Sequence, residues 1–190
     1  CDTLKYNVVA AQMSRGKLEK NLAQAIGSLA GTLSRFSMDV CLYMSQNFDY
    51  ISFPDDITTG SSIMPHKKNP DVFELIRGKC NKLQALPNEL AIMSTNLPSG
   101  YHREMQLFKG PIMQAIDEIK SCLSMTTSSI AEVQVKQDIL SYEKYTHVFS
   151  VDALHELIQQ GVPFRDAYVQ IGEAINKGEF VPPKMAKHTH

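Results

Sequence analysis

Apolar residues recur every three or four positions along much of the chain, the spacing that places side chains on one face of an α-helix. The longest such stretch covers residues 15–46 and contains no proline. Its apolar positions have the spacing of an a/d coiled-coil seam and are Leu22, Ile26, Leu29, Leu33, Phe36, Val40 and Tyr43. The pattern predicts one long helix, in which Gly27 and Gly31 allow close approach of a neighbouring helix.

Two further stretches have the same periodicity. Residues 71–93 predict a helix bent by Pro87, with an apolar face formed by Val72, Ile76, Cys80, Leu83 and Leu90. Residues 108–134 predict another, which starts or kinks at Gly110-Pro111. Its repeating positions are Phe108, Ile112, Ala115, Ile119, Cys122, Thr126, Ile130 and Val133. Three such helices predict an all-α, long-helix bundle, and because they are too long to wrap one compact core we expect oligomerisation.

The predicted elements become shorter after about Asp138. The pattern predicts a helix over residues 141–158, which ends before Gly-Val-Pro at 161–163, and a second short helix over residues 164–175. The first of these would have an apolar face of Val148, Val151, Leu154, His155 and Ile158. This change predicts a domain boundary that separates residues 1–138 from residues 139–190.

Composition excludes several classes of function. The chain has 190 residues, of which 43% are hydrophobic and 21% charged, and its net charge of −1 gives no basic field for nucleic acid. No apolar run reaches the roughly 18 residues of a membrane-spanning helix. The four cysteines lie far apart with no CxxC pair, so we expect free thiols in a reducing cytoplasm rather than a metal site. The pair His188 and His190 at the chain end does not change this expectation of no metal.

The segment 55–69 holds the candidate chemistry. It is rich in Asp, Thr, Ser, Gly and Pro and is long enough to be a functional loop. We expect Asn69 to be the N-cap of the following helix, with Pro70 at its first position. Serine hydroxyls, lysine charges and a helix N-terminus together suit proton abstraction beside a carboxylate, because they stabilise the resulting negative charge. The alternative is a solvated polar loop before a capped helix.

Residues 60–70, Gly-Ser-Ser-Ile-Met-Pro-His-Lys-Lys-Asn-Pro, closely resemble the signature of the fumarase/aspartase superfamily. Downstream, Tyr101, Gln106 and Lys109 resemble the Tyr-x4-Gln-x2-Lys motif of the superfamily's argininosuccinate lyase branch. Residues 161–167 resemble the C-terminal motif of the same branch. The resemblance implies a cytoplasmic homotetramer with active sites shared between subunits and no cofactor. It implies a lyase that cleaves argininosuccinate to arginine and fumarate in arginine biosynthesis.

The resemblance also implies the role of individual residues. Ser61 would be the general base, Lys67 would stabilise the intermediate, and Glu74 would orient a catalytic histidine. The substrate would be bound by Ser62, Asn69, Tyr101, Gln106 and Lys109. Residues 1–138 would then be the C-terminal half of the central helix bundle, and 139–190 the start of a small helical C-terminal domain.

Three departures from the family pattern limit these expectations. The catalytic histidine in its usual sequence context is missing, so we expect the chain to be a fragment with little activity alone. The segment Met13-Ser14-Arg15-Gly16-Lys17 lacks the branch's usual acidic residues, which puts its substrate contacts in doubt. His66 replaces the usual glutamine. Adenylosuccinate lyase, a non-catalytic scaffold homologue and a plain coiled-coil module remain as alternatives.

Overall fold

The computed structural model describes residue 3 and residues 7–60, 63–64 and 68–183. The chain divides into two compact units, Cys1–Val135 and Lys136–His190. Their assignment to half of a bundle and to a C-terminal domain stays a prediction.

The first unit is built mainly of helices, which confirms the predicted all-α fold. In chain order they are α1 (Val8–Met13), α2 (Lys17–Met44), α3 (Asp71–Leu83), α4 (Leu86–Met93) and α5 (Lys109–Ile130), with a 3₁₀ helix at Arg103–Phe108. Four two-residue strands complete the described part of this unit. Strand β1 (Ile51–Ser52) pairs with β4 (Gln134–Val135), and β2 (Thr59–Gly60) pairs with β3 (Lys68–Asn69), both antiparallel.

Helix α2 carries two different apolar stripes. The residues it buries against the other helices are mostly small and include Ala23, Ile26, Ala30, Leu33, Ser37 and Val40. Only part of the predicted seam is therefore internal to the chain. Leu22, Leu29, Phe36 and Tyr43 recur every seven residues but stay between 36% and 41% exposed. The small residues let neighbouring helices lie close, whereas the heptad-spaced stripe stays partly exposed.

The predicted close approach at the two α2 glycines is confirmed. A Cβ atom added to Gly27 would lie 3.2 Å from Cγ of Pro87, and one added to Gly31 would lie 3.3 Å from Oε1 of Gln84. Both neighbours lie where α3 gives way to α4. The backbone of α2 therefore packs closely against this junction, and a larger side chain at either glycine would meet a neighbouring residue.

The predicted single helix over residues 71–93 is in fact two helices. Gln84 and Ala85 keep right-handed helical dihedral angles, but α3 has ended at Leu83 and α4 begins at Leu86. The physical cause is Pro87, which has no N–H to donate to the Leu83 carbonyl. The predicted apolar face also omitted Phe73, which is almost fully buried with its ring centroid 5.3 Å from that of Phe53.

Helix α5 follows the prediction more closely. Its proline, Pro111, lies in the first turn, where a missing N–H removes no intrahelical bond. The first five predicted apolar positions, Phe108, Ile112, Ala115, Ile119 and Cys122, are all buried in the core.

In the second unit, the predicted continuous helix over residues 141–158 is wrong in its first half. The chain forms 3₁₀ helices at Ile139–Ser141 and Glu143–Phe149, and α6 spans only Ser150–Gln159. Aromatic and β-branched residues dominate the first half and favour an α-helix weakly. Leu154 is buried, but Val148 and Val151 are exposed. The second predicted helix is confirmed as α7, Phe164–Asn176.

Within the described residues, no helix combines the length and apolar character that a membrane span requires.

Candidate functional site

The loop predicted to carry the chemistry is held at its base by a short β-ladder. Thr59 lies opposite Asn69, and Gly60 lies opposite Lys68. Two side-chain contacts reinforce the base: the Thr59 hydroxyl donates to the Asp71 carboxylate, and the Lys68 ammonium pairs with Asp55. Both ends of the loop are thus fixed to each other and to the start of α3.

Three of the predicted site residues, Ser61, Ser62 and Lys67, lie outside the described residues. Their roles stay predictions. What the structure gives is the frame on either side of them, with Gly60 as the last residue of β2 and Lys68 as the first residue of β3.

The prediction that Asn69 is the helix N-cap is wrong. Asn69 belongs to β3, and Pro70 occupies the N-cap position, without a side-chain capping bond, before α3 begins at Asp71. The ladder with Thr59 keeps the Asn69 backbone extended, so the helix starts one residue after the predicted position. The first turn carries Asp71 and Glu74, whose charges complement the helix dipole.

Asn69 and Glu74 meet at one cavity of about 660 Å³. This volume lies within the range of about 300–1,000 Å³ that is typical of small-molecule sites. Besides these two residues the cavity is lined by Cys41, Met44, Ser45, Gln46, Asp49, Ile51, Ser52, Phe53, Met64, Lys68 and Pro70. The structure therefore brings two predicted site residues together, beside the base of the signature loop.

One part of the cavity lining was not predicted. Ser45, Gln46 and Asp49 follow the end of α2 and contribute polar groups to the cavity lining. The only sequence signal for them is a polar run after a long apolar helix, and such runs usually mark ordinary loops.

The thiol of Cys41, which also lines the cavity, is uncharged. Burial raises the pKa of the Cys41 thiol, and the negative charge of Glu74 adds to that effect, whereas the positive charge of Arg77 opposes it. The thiol is therefore neutral at physiological pH, and it contributes a weakly polar, uncharged surface to the cavity.

The predicted substrate-binding residues from the second motif form a separate cluster. The Gln106 amide donates a hydrogen bond to the Tyr101 hydroxyl oxygen, and Lys109 is the exposed first residue of α5. Buried Met105 and Phe108 anchor the intervening 3₁₀ helix to the core. The structure thus brings Tyr101 and Gln106 into contact, and their role in binding substrate stays a prediction.

The two groups lie near opposite ends of α2. Arg15, just before α2, places its guanidinium 5.0 Å from the centre of the Tyr101 ring, whereas Cys41 near the other end lines the loop cavity. The 24 residue steps from Lys17 to Cys41 span about 36 Å of α-helix. One copy of this chain therefore does not assemble both groups into a single small-molecule site.

Among the described residues, no group of three or more His, Cys, Asp or Glu side chains is placed to hold a metal ion. The described residues that line the loop cavity include no histidine.

Comparison with known proteins gives a consistent result. A family model described as "Lyase" matches residues 7–85. The chain is 53% identical over 189 residues to an argininosuccinate lyase of Parabacteroides distasonis and 52% identical over 189 residues to one of Bacteroides thetaiotaomicron. Each match covers 100% of this chain but only 42% of the relative, so the chain spans less than half the length of these curated proteins.

The fold also matches solved structures. A class II fumarase from Schistosoma mansoni superposes with a TM-score of 0.68, covering 93% of this chain and 39% of that one. At 18% identity this likeness concerns the fold alone.

Proposed function

We propose that the protein of which this chain forms part is an argininosuccinate lyase of the fumarase/aspartase superfamily, which cleaves argininosuccinate to arginine and fumarate. The observation that carries the proposal is the identity of about 52% along the whole chain to enzymes of that name. The loop cavity, with Asn69 and Glu74 on its wall, supports it from the structure. This reaction is a step of arginine biosynthesis. The free thiols of Cys41, Cys80 and Cys122 fit an enzyme of the reducing cytoplasm.

The proposed reaction is a β-elimination. Ser61 removes a proton from the succinyl carbon next to a carboxylate, and the electron pair moves onto that carboxylate. As the pair returns to form the double bond of fumarate, the C–N bond breaks and the departing guanidino nitrogen takes up a proton. The negative charge between these events is stabilised by the Lys67 ammonium and the Asn69 amide, because fixed donors in a closed site are strongest where charge develops.

Glu74 has an indirect part in this proposal. Its position in the lining of the same cavity as Asn69 suits a carboxylate that orients a histidine supplied by another part of the protein. Ser62 contributes a second hydroxyl for the substrate.

We propose that the site is completed between subunits of a homotetramer. Tyr101, Gln106 and Lys109 lie near the end of α2 remote from the loop cavity, about 36 Å away by helix length. A second copy packed antiparallel along the exposed stripe of Leu22, Leu29, Phe36 and Tyr43 would bring its own Tyr101 end beside the first copy's loop. Apolar residues that repeat every seven positions on a helix are the pattern of such an interface.

The test of the activity uses the full-length protein. Argininosuccinate should be converted to fumarate, followed by ultraviolet absorbance, and Ser61→Ala should lower kcat by about 10²- to 10⁴-fold because it removes the general base. Ser62→Ala is the matched control and should act mainly on KM. A preference for adenylosuccinate would favour the closest alternative enzyme, and absence of turnover with either substrate would favour a non-catalytic homologue. A Ser61→Ala protein at the wild-type rate would show that the base is wrongly assigned.

Shared sites can be tested by mixing variants. Ser61→Ala and Lys109→Ala subunits should each be nearly inactive as homotetramers. If one site takes Ser61 and Lys109 from different subunits, dissociation and random reassembly of an equal mixture should restore about a quarter of the sites. No recovery in reassembled tetramers would contradict the shared site.

A further inference from the structure

The turn between α1 and α2 docks onto the segment that carries the Tyr101–Gln106 pair. Gly16 is the N-cap of α2 and has φ of +81°, a conformation that favours glycine. It is buried, and a Cβ atom there would lie 3.3 Å from Cε2 of Phe108 and 3.5 Å from Sδ of Met105. Glycine is thus required both for the backbone conformation and for the close contact, and the contact fixes the turn against the 3₁₀ helix.

This turn places the side chain of Arg15 over the face of the Tyr101 ring. The guanidinium carbon of Arg15 lies 5.0 Å from the centre of the tyrosine ring, within the range of a cation–π contact. No firm role for this arginine follows from the sequence alone, because the acidic residues that usually surround it in the family are missing. The structure shows a contact with one of the predicted substrate-binding residues.

Glu19 holds the arginine from the other side. One carboxylate oxygen of Glu19 accepts a hydrogen bond of 2.8 Å from the Gly16 N–H, and the other lies 3.8 Å from Nε of Arg15. The Arg15 Nε atom is buried and has no hydrogen-bond partner among the described residues. The arginine is therefore held by charge, between a fixed carboxylate and an aromatic face.

The Tyr101 hydroxyl has a defined polarity in this arrangement. Its oxygen accepts the hydrogen bond from the Gln106 amide, so the phenolic proton remains available for donation to another group. The direction of that donation depends on the tilt of the ring, which Arg15 contacts on its face. A phenolic O–H is well suited to donate to a carboxylate, the group that argininosuccinate carries at both of its ends.

We propose that Arg15, held by Glu19, is a positioning residue that aims the Tyr101 hydroxyl at a carboxylate of the substrate. Arg15 acts through the tyrosine and does not itself contact the substrate. The inference rests on the proposed function, since it assigns a role in binding the substrate of that reaction.

The experiment is a double-mutant cycle in the full-length protein with argininosuccinate as substrate. Tyr101→Phe keeps the ring and removes the hydroxyl, and it should raise KM by about 10-fold or more through the loss of a hydrogen bond to a charged group. Arg15→Gln should raise KM by about 3- to 10-fold, with kcat changed less than twofold. In the Tyr101→Phe background, Arg15→Gln should add less than about twofold, because contacts that act as one unit are not additive.

Two variants separate positioning from general damage. Arg15→Lys keeps a cation over the ring and should recover most of the wild-type KM, whereas Lys17→Gln removes a neighbouring exposed charge and should leave KM unchanged. Circular dichroism compares the folding of each variant with the wild type. If Arg15→Gln does not fold, Arg15→Met takes its place in the cycle, with the same expected rise in KM.

The outcomes for the two proposals are distinct. A wild-type protein that does not turn over argininosuccinate refutes the proposed function, and the role of Arg15 with it. A wild-type protein with full activity in which Arg15→Gln leaves KM unchanged, or multiplies the defect of Tyr101→Phe, overturns the inference about Arg15 alone.

Discussion

Gly27 lies where α2 crosses the rigid ring of Pro87, and its replacement by alanine tests the packing of the bundle. In an exposed helix, alanine is more stable than glycine by about 1 kcal/mol. At Gly27 the new methyl group would lie 3.2 Å from Cγ of Pro87, a contact that can relax only if the α4 backbone moves. Behind that ring, Leu86 and Leu90 are buried, so such movement disturbs the core. Overpacking of this kind costs about 1–3 kcal/mol, which leaves an expected net loss of about 1 kcal/mol.

Gly31 provides the matched control, one turn further along the same helix. Its added methyl group would meet the side-chain oxygen of Gln84 at 3.3 Å, and a glutamine side chain can rotate away. The two hydrogen bonds that the Gln84 amide donates, to Cys80 and Asn81, are both long at 3.3 Å. Gly31→Ala should therefore keep most of the helix-propensity gain and stabilise the chain by up to about 1 kcal/mol.

Thermal unfolding of the two variants by circular dichroism gives the answer. For a chain of this size, 1 kcal/mol corresponds to a shift in Tm of about 2–4 °C. Gly27→Ala should lower Tm by about that amount, and Gly31→Ala should raise it. If both substitutions raise Tm, the contact between α2 and Pro87 is looser than the structure shows, and the reasoning fails.

Three further predictions concern the loop cavity. Thr59→Val removes the hydroxyl that donates to Asp71, so amide hydrogen exchange at Gly60 should accelerate. The Tm should change by less than about 4 °C, because one partly exposed hydrogen bond contributes about 1 kcal/mol to stability. Burial raises the Cys41 pKa above its ordinary value of 9.0, so at pH 9 the folded chain holds a smaller fraction of the reactive thiolate than the unfolded chain does. Alkylation by iodoacetamide at pH 9, followed by mass spectrometry, should therefore be slower in the folded chain than in urea, and equal rates would contradict this. Glu74→Gln in the full-length enzyme should lower kcat by about 10- to 100-fold, as expected for a group that orients a catalytic residue, and an unchanged kcat would remove Glu74 from the mechanism.

The sequence predicted the helices best where one local pattern determines them. Residues 15–46 and 108–134 have long apolar repeats without an internal break, and α2 and α5 were found there. The same repeat could not say which partner covers each residue. Leu33 is buried inside the chain and Leu29 is not, although both belong to one predicted seam.

The candidate site was harder to predict because its geometry depends on residues far apart in sequence. Asn69 has the side chain of a good N-cap, but its pairing with Thr59, ten residues earlier, overrides that local preference. The polar residues that line the cavity together with Glu74 follow the end of another helix, and no short motif identifies them. The contact between Arg15 and Tyr101 joins segments separated by more than eighty residues, so only the fold shows it.

The two stripes of α2 mean that this helix is under two separate kinds of constraint. A substitution on the small-residue stripe, such as Ala23→Leu, damages the chain itself and would appear in any measurement on a monomer. A substitution such as Leu29→Asp removes an exposed apolar group, so it should make an isolated chain more soluble while it prevents the proposed assembly. A mutational scan of the isolated chain and a scan of the assembled enzyme should therefore agree at the buried positions of α2 and differ at the exposed apolar ones.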